Sequence, residues 1–466
     1  MTPALAQDQA GIAGVLEHTL QDALRVIASL DTRAVACATA PQAPQALSRT
    51  GTGFASALAD FNARYAAGFA ASAGPRYLGF VTGGATPAAL AADWLVSCYD
   101  QNPTSGIDGS APDLERETLA QLRELFGLDN GFSGAFVTGA TLSNFVGLAL
   151  GREWVGEHRG LQVSESGIAA LGAVHILSGA PHSSIFKAAS MLGLGRQAVE
   201  TLPLLAGREA VDIAALEARL AGLQGEACIV VANAGTVNSV DFDDLAAIGA
   251  LRERYPFWLH IDAAFGAFAA LAPAAADRVN GLSEADSICI DLHKWLNVPY
   301  DAAVQFTRRQ DLQLRVFRNS AAYLGAPGAT PDFVHLTPEN SRRLRALPTW
   351  FALRAYGRDG VRDIVERCIR HAQRLAAHID ASPDFVALAP TRLNVVCFTL
   401  RDNAEGAAGE AKVQSFVMRV RDAGEAFVTP TFHHGRWGVR AAFSNWRTRD
   451  EDVERVWLAL KAALPD

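Results

Sequence analysis

The chain has 466 residues, half of them hydrophobic and 19% charged, with 40 glycines spread along it. That length exceeds what one core usually accommodates and predicts two or three globular domains rather than a fibrous or disordered chain. A net charge of −8, with no stretch dense in Lys or Arg, argues against nucleic acid and anionic membrane as partners.

The first positive charge is Arg25, so the amino terminus lacks the basic region of a secretion signal. Residues 11–31 place Ile12, Val15, Leu16, Leu20, Ala23, Leu24 and Ile27 at helical spacing. The stretch "ATAPQAPQALSRTGTG" breaks that pattern, and residues 54–69 resume it. From about Ala85, β-rich runs alternate with helical ones: "GAFVTG", "GAVHILS", "EACIVVAN", "FWLHIDAA", "DSICIDL" and "AAVQFTR" read as strands. Continuous apolar strands separated by amphipathic helices predict an α/β fold with a parallel sheet covered on both faces.

An uncharged stretch, residues 167–186, is interrupted by His175, Pro181 and His182 and does not read as a membrane span. Beyond "SRRLRALPTWFALRAYG" the pattern predicts a long helix over 359–379, a strand at "NVVCFTLR", a helix near 413–423, a strand at "WGVRAAFS" and a closing helix. The expected division is a helical segment at 1–84, a large domain at 85–350 and a small α/β domain at 351–466. Six cysteines lie far apart without a CxxC pair, which fits free thiols in a reducing cytoplasm better than disulfides or zinc.

In parallel sheets ligands sit beyond the carboxyl ends of the strands, and four strand ends here carry chemistry. "VTGATLSN" is a strand, a small-residue turn with Gly139 and Ala140, and a helix start that favours an anion such as phosphate. "APHSSIF" places His182 after a strand, and "HIDAAFG" ends an apolar run on Asp262. In "DSICIDLHKWLNVPYDAAVQF" a buried strand stops on Asp291, Leu292, His293 and Lys294. Each has a plain alternative taken singly: an N-cap, a satisfied histidine, a capping carboxylate, a surface lysine. Together they supply the four needs of pyridoxal phosphate: a phosphate cradle, an imidazole for a flat ring, an acid for the pyridine nitrogen and a lysine amine. The glycine fingerprint of nicotinamide sites, the P-loop and the GxSxG elbow are absent from the sequence.

On "GPRYLGFVTGGATPAALAADW", "VTGATLSN", "HSSIFKAA", "HIDAAFG", "DLHKWLNVPYDAA", "SRRLRALPTWFALRAYGRDG" and "RAAFSNWRTRDEDV", the sequence resembles the group II pyridoxal phosphate-dependent amino-acid decarboxylases over nearly its whole length. These include aromatic-amino-acid, glutamate and diaminobutyrate decarboxylases. The resemblance implies a fold-type I architecture: a helical amino-terminal segment, a large domain with a mostly parallel sheet and a small carboxyl-terminal domain. It implies a homodimer. Carried over residue by residue, Lys294 attaches the cofactor, Asp262 pairs with the pyridine nitrogen, His182 stacks on the ring and Ala264 packs its other face. Gly139, Ala140 and His293 hold the phosphate, and Thr236 faces the cofactor's 3-oxygen and the lysine.

The implied reaction removes CO2 from an L-amino acid and leaves an amine. In many family members a loop tyrosine upstream of "SRR" protonates the carbanion; here that position aligns with Phe333, which has no proton to give. Loss of that tyrosine in some plant and insect relatives yields an oxygen-consuming aldehyde synthase. Plain decarboxylation, with Tyr323 or His335 as donor, is therefore the first expectation, and oxidative decarboxylation–deamination the second. A cofactor-binding protein without catalysis is the third. Phe80, Val81, Thr82 and Trp295 match pocket positions and favour an aromatic or apolar side chain on the substrate.

Overall fold

Seven strands assemble into one sheet in the computed structural model, which describes residues 1–319, 328 and 330–464. They are β1 (Ser133–Val137), β2 (Ile176–Ser178), β3 (Val199–Thr201), β4 (Cys228–Asn233), β5 (Phe257–Asp262), β6 (Ser287–Asp291) and β7 (Ala303–Thr307). The order across the sheet is β1-β7-β6-β5-β4-β2-β3. β2 to β6 pair in parallel with their neighbours, whereas β7 is antiparallel to both β6 and β1. Every residue of β4, β5 and β6 is buried, as a sheet with both faces covered requires.

The helix Ala140–His158 covers the centre of one face, with Val146, Leu148, Ala149 and Leu150 fully buried. It can lie this close because Gly147 has no side chain: a Cβ there would stand 2.5 Å from the His260 ring.

A second sheet is wholly antiparallel: β8 (Phe385–Ala387), β9 (Val395–Leu400), β10 (Thr429–His433) and β11 (Arg436–Ala442), in the order β10-β11-β9-β8. The helix Ala346–Ala381 joins the two parts and is broken at Gly357, whose φ of 61° suits glycine. The expected boundary at 350/351 therefore falls within a helix, and the expected 359–379 helix is its second arm. β3, β8 and β10 are strands the sequence pattern did not suggest. The first two are only three residues long, and β10 carries Pro430, tolerated because β10 is an edge strand.

At the amino terminus Pro3–Ala10, Ile12–Ser29 and Phe54–Arg64 are helical, and no residue of Ile12–Ser29 is buried. Its stripe of Ile12, Leu16, Leu20 and Leu24 is left uncovered in the single chain. Arg76 ties this region to the closing helix Asp450–Ala462, reaching Asp452 at 3.1 Å and the Glu425 and Asp31 carbonyls. Among the described residues no helix is long and apolar enough to cross a membrane. All six cysteines are free, with Cys37 and Cys98 exposed.

Candidate active site

Parallel register aligns the strand ends. Asn233 of β4 is level with Asp262 of β5, and β6 ends beside them on Asp291. A cavity of about 270 Å³ opens beyond these ends, lined by Ala140, His182, Thr236, Asp262, Ala264 and Lys294. Phe80, Val81, Ala180, Pro181, Val237 and Phe265 supply its apolar wall, and Glu209, Asn233 and Arg440 complete it. Six of the eight residues expected to hold a cofactor thus face one space. The other two, Gly139 and His293, flank it: a Cβ on Gly139 would stand 3.6 Å from His293 Cε1.

Lys294 lies on the four-residue helix Leu292–Trp295 that turns away from β6. Gly83 packs on this turn, where any Cβ would overlap the Lys294 carbonyl oxygen. Lys294 Nζ is 3.2 Å from Asp291 Oδ2 and 5.4 Å from the centre of the Phe265 ring. The other Asp291 oxygen accepts the Ala140 N–H at 2.9 Å, so a carboxylate occupies the start of the Ala140–His158 helix. His293 Nδ1 accepts the Ala302 N–H at 3.3 Å, leaving its proton on Nε2, 3.5 Å from Asp291. Burial lowers the His293 pKa, so its ring is neutral near pH 7.

Asp262 is buried, and its carboxylate accepts from Asn144 Nδ2 at 2.9 Å and from the Ala264 N–H at 3.2 Å. Among the described residues no cation pairs with it. His182 caps the helix Ser183–Met191, its Nδ1 accepting the Ser184 N–H at 3.3 Å. Desolvation by the surrounding protein lowers its pKa, so this ring too is neutral.

Thr236 Oγ1 donates to Glu209 Oε2 at 2.6 Å and accepts the Asp241 N–H at 2.9 Å. Glu209 also receives Ser239, Asn238 and His433. Burial opposes its charge, but the hydrogen bonds from His433, Thr236 and Ser239 prevail and bring its pKa down to about 2. Arg440 is buried on β11, with Nη1 on the Val237 carbonyl at 2.8 Å and Nε without a partner among the described residues.

Glu209 and Arg440 escaped the sequence reading. Arg440 left one signal, a charge inside the apolar run "WGVRAAFS"; Glu209 sits in "GREAVD", which reads as a surface turn. Asn144 and Asp291 stood inside the quoted motifs without an assigned role.

Phe333 is not in this cavity. Its ring is 2% exposed and lies between the guanidiniums of Arg116 and Arg342, 5.4 and 5.1 Å from its centre. It lines a separate hollow with Arg116, Arg123 and Phe306. His335 is likewise buried, its Nδ1 accepting the Asn319 N–H at 3.2 Å. Tyr323 lies outside the described residues. Of the four pocket positions, Phe80 and Val81 line the cavity. Trp295 instead is fully buried against Phe268, and Thr82 bonds the Tyr300 hydroxyl at 3.3 Å.

Comparison with known proteins shows the family and the fold. The model for the pyridoxal-dependent decarboxylase conserved domain matches residues 38–401. An aromatic-L-amino-acid decarboxylase from Bacillus atrophaeus is 25% identical over 401 residues, covering 83% of this chain and 81% of that protein. The Oryza sativa TDC solved with PLP and tryptamine superposes with a TM-score of 0.90 at 21% identity, covering 99% of each chain. The Rhodiola rosea 4-hydroxyphenylacetaldehyde synthase superposes with a TM-score of 0.83 at 18% identity, covering 98% of this chain and 97% of that one. These last two establish a shared fold. With most of its length matched by the family model, the chain belongs to the pyridoxal-dependent decarboxylases, enzymes that use pyridoxal 5'-phosphate to remove the carboxylate of an amino acid.

Proposed function

We propose that the cavity at Lys294 holds pyridoxal 5'-phosphate and decarboxylates an L-amino acid with an aromatic or apolar side chain to its amine. The observation that carries this reading is Asp262. A buried carboxylate that faces a cavity and, among the described residues, pairs with no cation is costly, and a protonated ring nitrogen would be the partner it lacks. The rest of the donor set fits the same group. Lys294 would attach the cofactor through its amine, His182 and Ala264 would enclose its ring, and Thr236 would stand at its 3-oxygen. Gly139, Ala140 and His293 would hold its phosphate, which would compete with Asp291 for the Ala140 N–H.

When bound, the cofactor supplies an electron-withdrawing ring that takes up the electron pair left by CO2. The protein's part is to hold and shield. Asp262 keeps a proton on the ring nitrogen, and Arg440 offers a buried cation to a substrate carboxylate. Phe80, Val81, Val237 and Phe265 exclude water and accept an apolar side chain. We assign the amine as the product, in keeping with the decarboxylases the chain is similar to, and keep oxidative release of an aldehyde as the second reading because Phe333 carries no proton to give. The uncovered stripe of Ile12, Leu16, Leu20 and Leu24 supports a homodimer in which a second copy buries it. Free thiols fit a cytoplasmic location.

A panel of amino acids assayed together for CO2, amine, aldehyde and peroxide tests the proposal. Equal amounts of CO2 and amine from an aromatic substrate are expected. Aldehyde with peroxide would favour the oxidative reading, and turnover of glutamate alone would overturn the substrate class.

A further inference from the structure

The two residues assigned to the cofactor ring are tied to a single side chain. Asn144 is fully buried near the start of the Ala140–His158 helix. Its Nδ2 lies 2.9 Å from Asp262 Oδ2 and 3.0 Å from Ser184 Oγ, which uses both amide hydrogens. Ser184 Oγ in turn lies 2.8 Å from His182 Nδ1. That nitrogen already accepts the Ser184 backbone N–H, so the hydroxyl donates to it and His182 carries its own proton on Nε2.

On its other side Asn144 Oδ1 is 2.9 Å from His260 Nε2. His260 Nδ1 is 2.8 Å from Ser287 Oγ, and Ser287 Oγ receives the Trp258 indole N–H at 3.0 Å. An indole can only donate and a carboxylate only accept, so the direction of every bond between them is fixed. Trp258 donates to Ser287, Ser287 to His260, His260 to Asn144, and Asn144 to Asp262. Trp258, Ser287, His260 and Asn144 are each fully buried. An apolar core would fill this volume more cheaply, and a polar chain is tolerated there only because each member is satisfied.

We propose that Asn144 is a positioning residue: held in one orientation by His260, it aims the Asp262 carboxylate and, through Ser184, locks His182 in the tautomer and pose that face the ring. This rests on the assignment of Asp262 and His182 to the cofactor. Without the His260 donor the Asn144 Oδ1 loses its buried partner and the amide is held through Nδ2 alone, so its plane is no longer fixed against Asp262 and Ser184. Ring-nitrogen contact and ring stacking are therefore set together, by one amide.

The test measures cofactor affinity of the cofactor-free protein and the pH dependence of the bound cofactor's absorbance, with thermal unfolding as a check on folding. Asn144→Leu is expected to weaken cofactor binding about tenfold or more, the loss of a hydrogen bond to a charged group, and to shift the pH dependence of the absorbance. Ser184→Ala, which cuts only the His182 arm, should lose roughly threefold. His260→Leu should resemble Asn144→Leu, and His260→Gln, which keeps a donor toward Asn144, should recover most of the affinity. A folded Asn144→Leu protein with native affinity and native absorbance overturns the proposal. If that variant does not fold, the His260 pair decides, and equal affinities for Leu and Gln overturn it. Asp262→Ala and His182→Ala serve as controls. Native cofactor affinity in both would sink the assignment of the cavity itself, whereas weakened controls beside a native Asn144→Leu would sink only the positioning role.

Discussion

Asp291 Oδ2 lies 3.2 Å from Lys294 Nζ, and the same carboxylate accepts the Ala140 N–H through its other oxygen at 2.9 Å. The pair is largely buried, so each partner stabilises the other's charge. Lys294→Ala should therefore have two effects. Turnover should be abolished, and the cofactor-free protein should lose roughly 1–3 kcal/mol because Asp291 is left a buried charge without its ammonium partner. Borohydride reduction of the wild-type holoenzyme followed by peptide mapping checks the first effect, and a label on another lysine refutes it. Denaturant unfolding checks the second.

Asp262→Ala should lower kcat by roughly 10²–10³, the scale of losing a preorganised electrostatic partner. Asp262→Glu should retain part of the activity, since one methylene displaces the carboxylate without removing it. Near-normal turnover in the alanine variant would reduce Asp262 to a cap on the following turn.

Arg440→Gln should raise KM about tenfold to a hundredfold, the range for a hydrogen bond to an ionised partner, with a smaller change in kcat. Steady-state kinetics on the best substrate of the panel measures it. An unchanged KM would mean that the substrate carboxylate is received elsewhere.

Burial pushes the His260 pKa down to about 4, from 6.5 in the unfolded chain. Between those values the unfolded chain binds a proton that the folded one refuses, so this residue makes stability fall as pH drops from 6.5 toward 4. Above 6.5 it contributes no pH dependence. The difference in unfolding free energy between wild type and His260→Gln should thus be flat from pH 7 to 8 and narrow at lower pH, by at most about 1.4 kcal/mol per pH unit. A difference independent of pH down to 4.5 would contradict a buried neutral His260.

Leu16→Glu with Leu20→Glu should convert a dimer into monomers in sedimentation velocity, by placing two charges on the uncovered stripe of Ile12–Ser29. A dimer that survives both substitutions would locate the interface on another face.

Most of the large sheet was legible because its central strands are uninterrupted apolar runs, and the chemistry was legible because it stands where those runs end. β7 shows the limit of that reading. Its run "AAVQFTR" looks like the others, and only the three-dimensional path reveals that it runs against its neighbours. Residues reaching the cavity from elsewhere were harder to foresee. Glu209 comes from a polar turn and Arg440 from the second sheet, so neither shares a motif with Lys294. Phe333 shows the converse: a residue matched to a functional position through a gap-prone loop lies, within its own chain, beside two arginines and outside the Lys294 cavity.

The pairing of β1 with β7 also sets an order of events during synthesis. Ser133 meets Thr307 across 174 residues, so β1 leaves the ribosome long before its partner strand exists. At about 5–20 residues per second that wait is roughly 10–35 s. During it an apolar strand has both edges open, the state most exposed to pairing with another nascent chain. The antiparallel return of β7 is thus the closing stitch of the large sheet, and yield in expression should depend on conditions that protect the chain until that stitch is made.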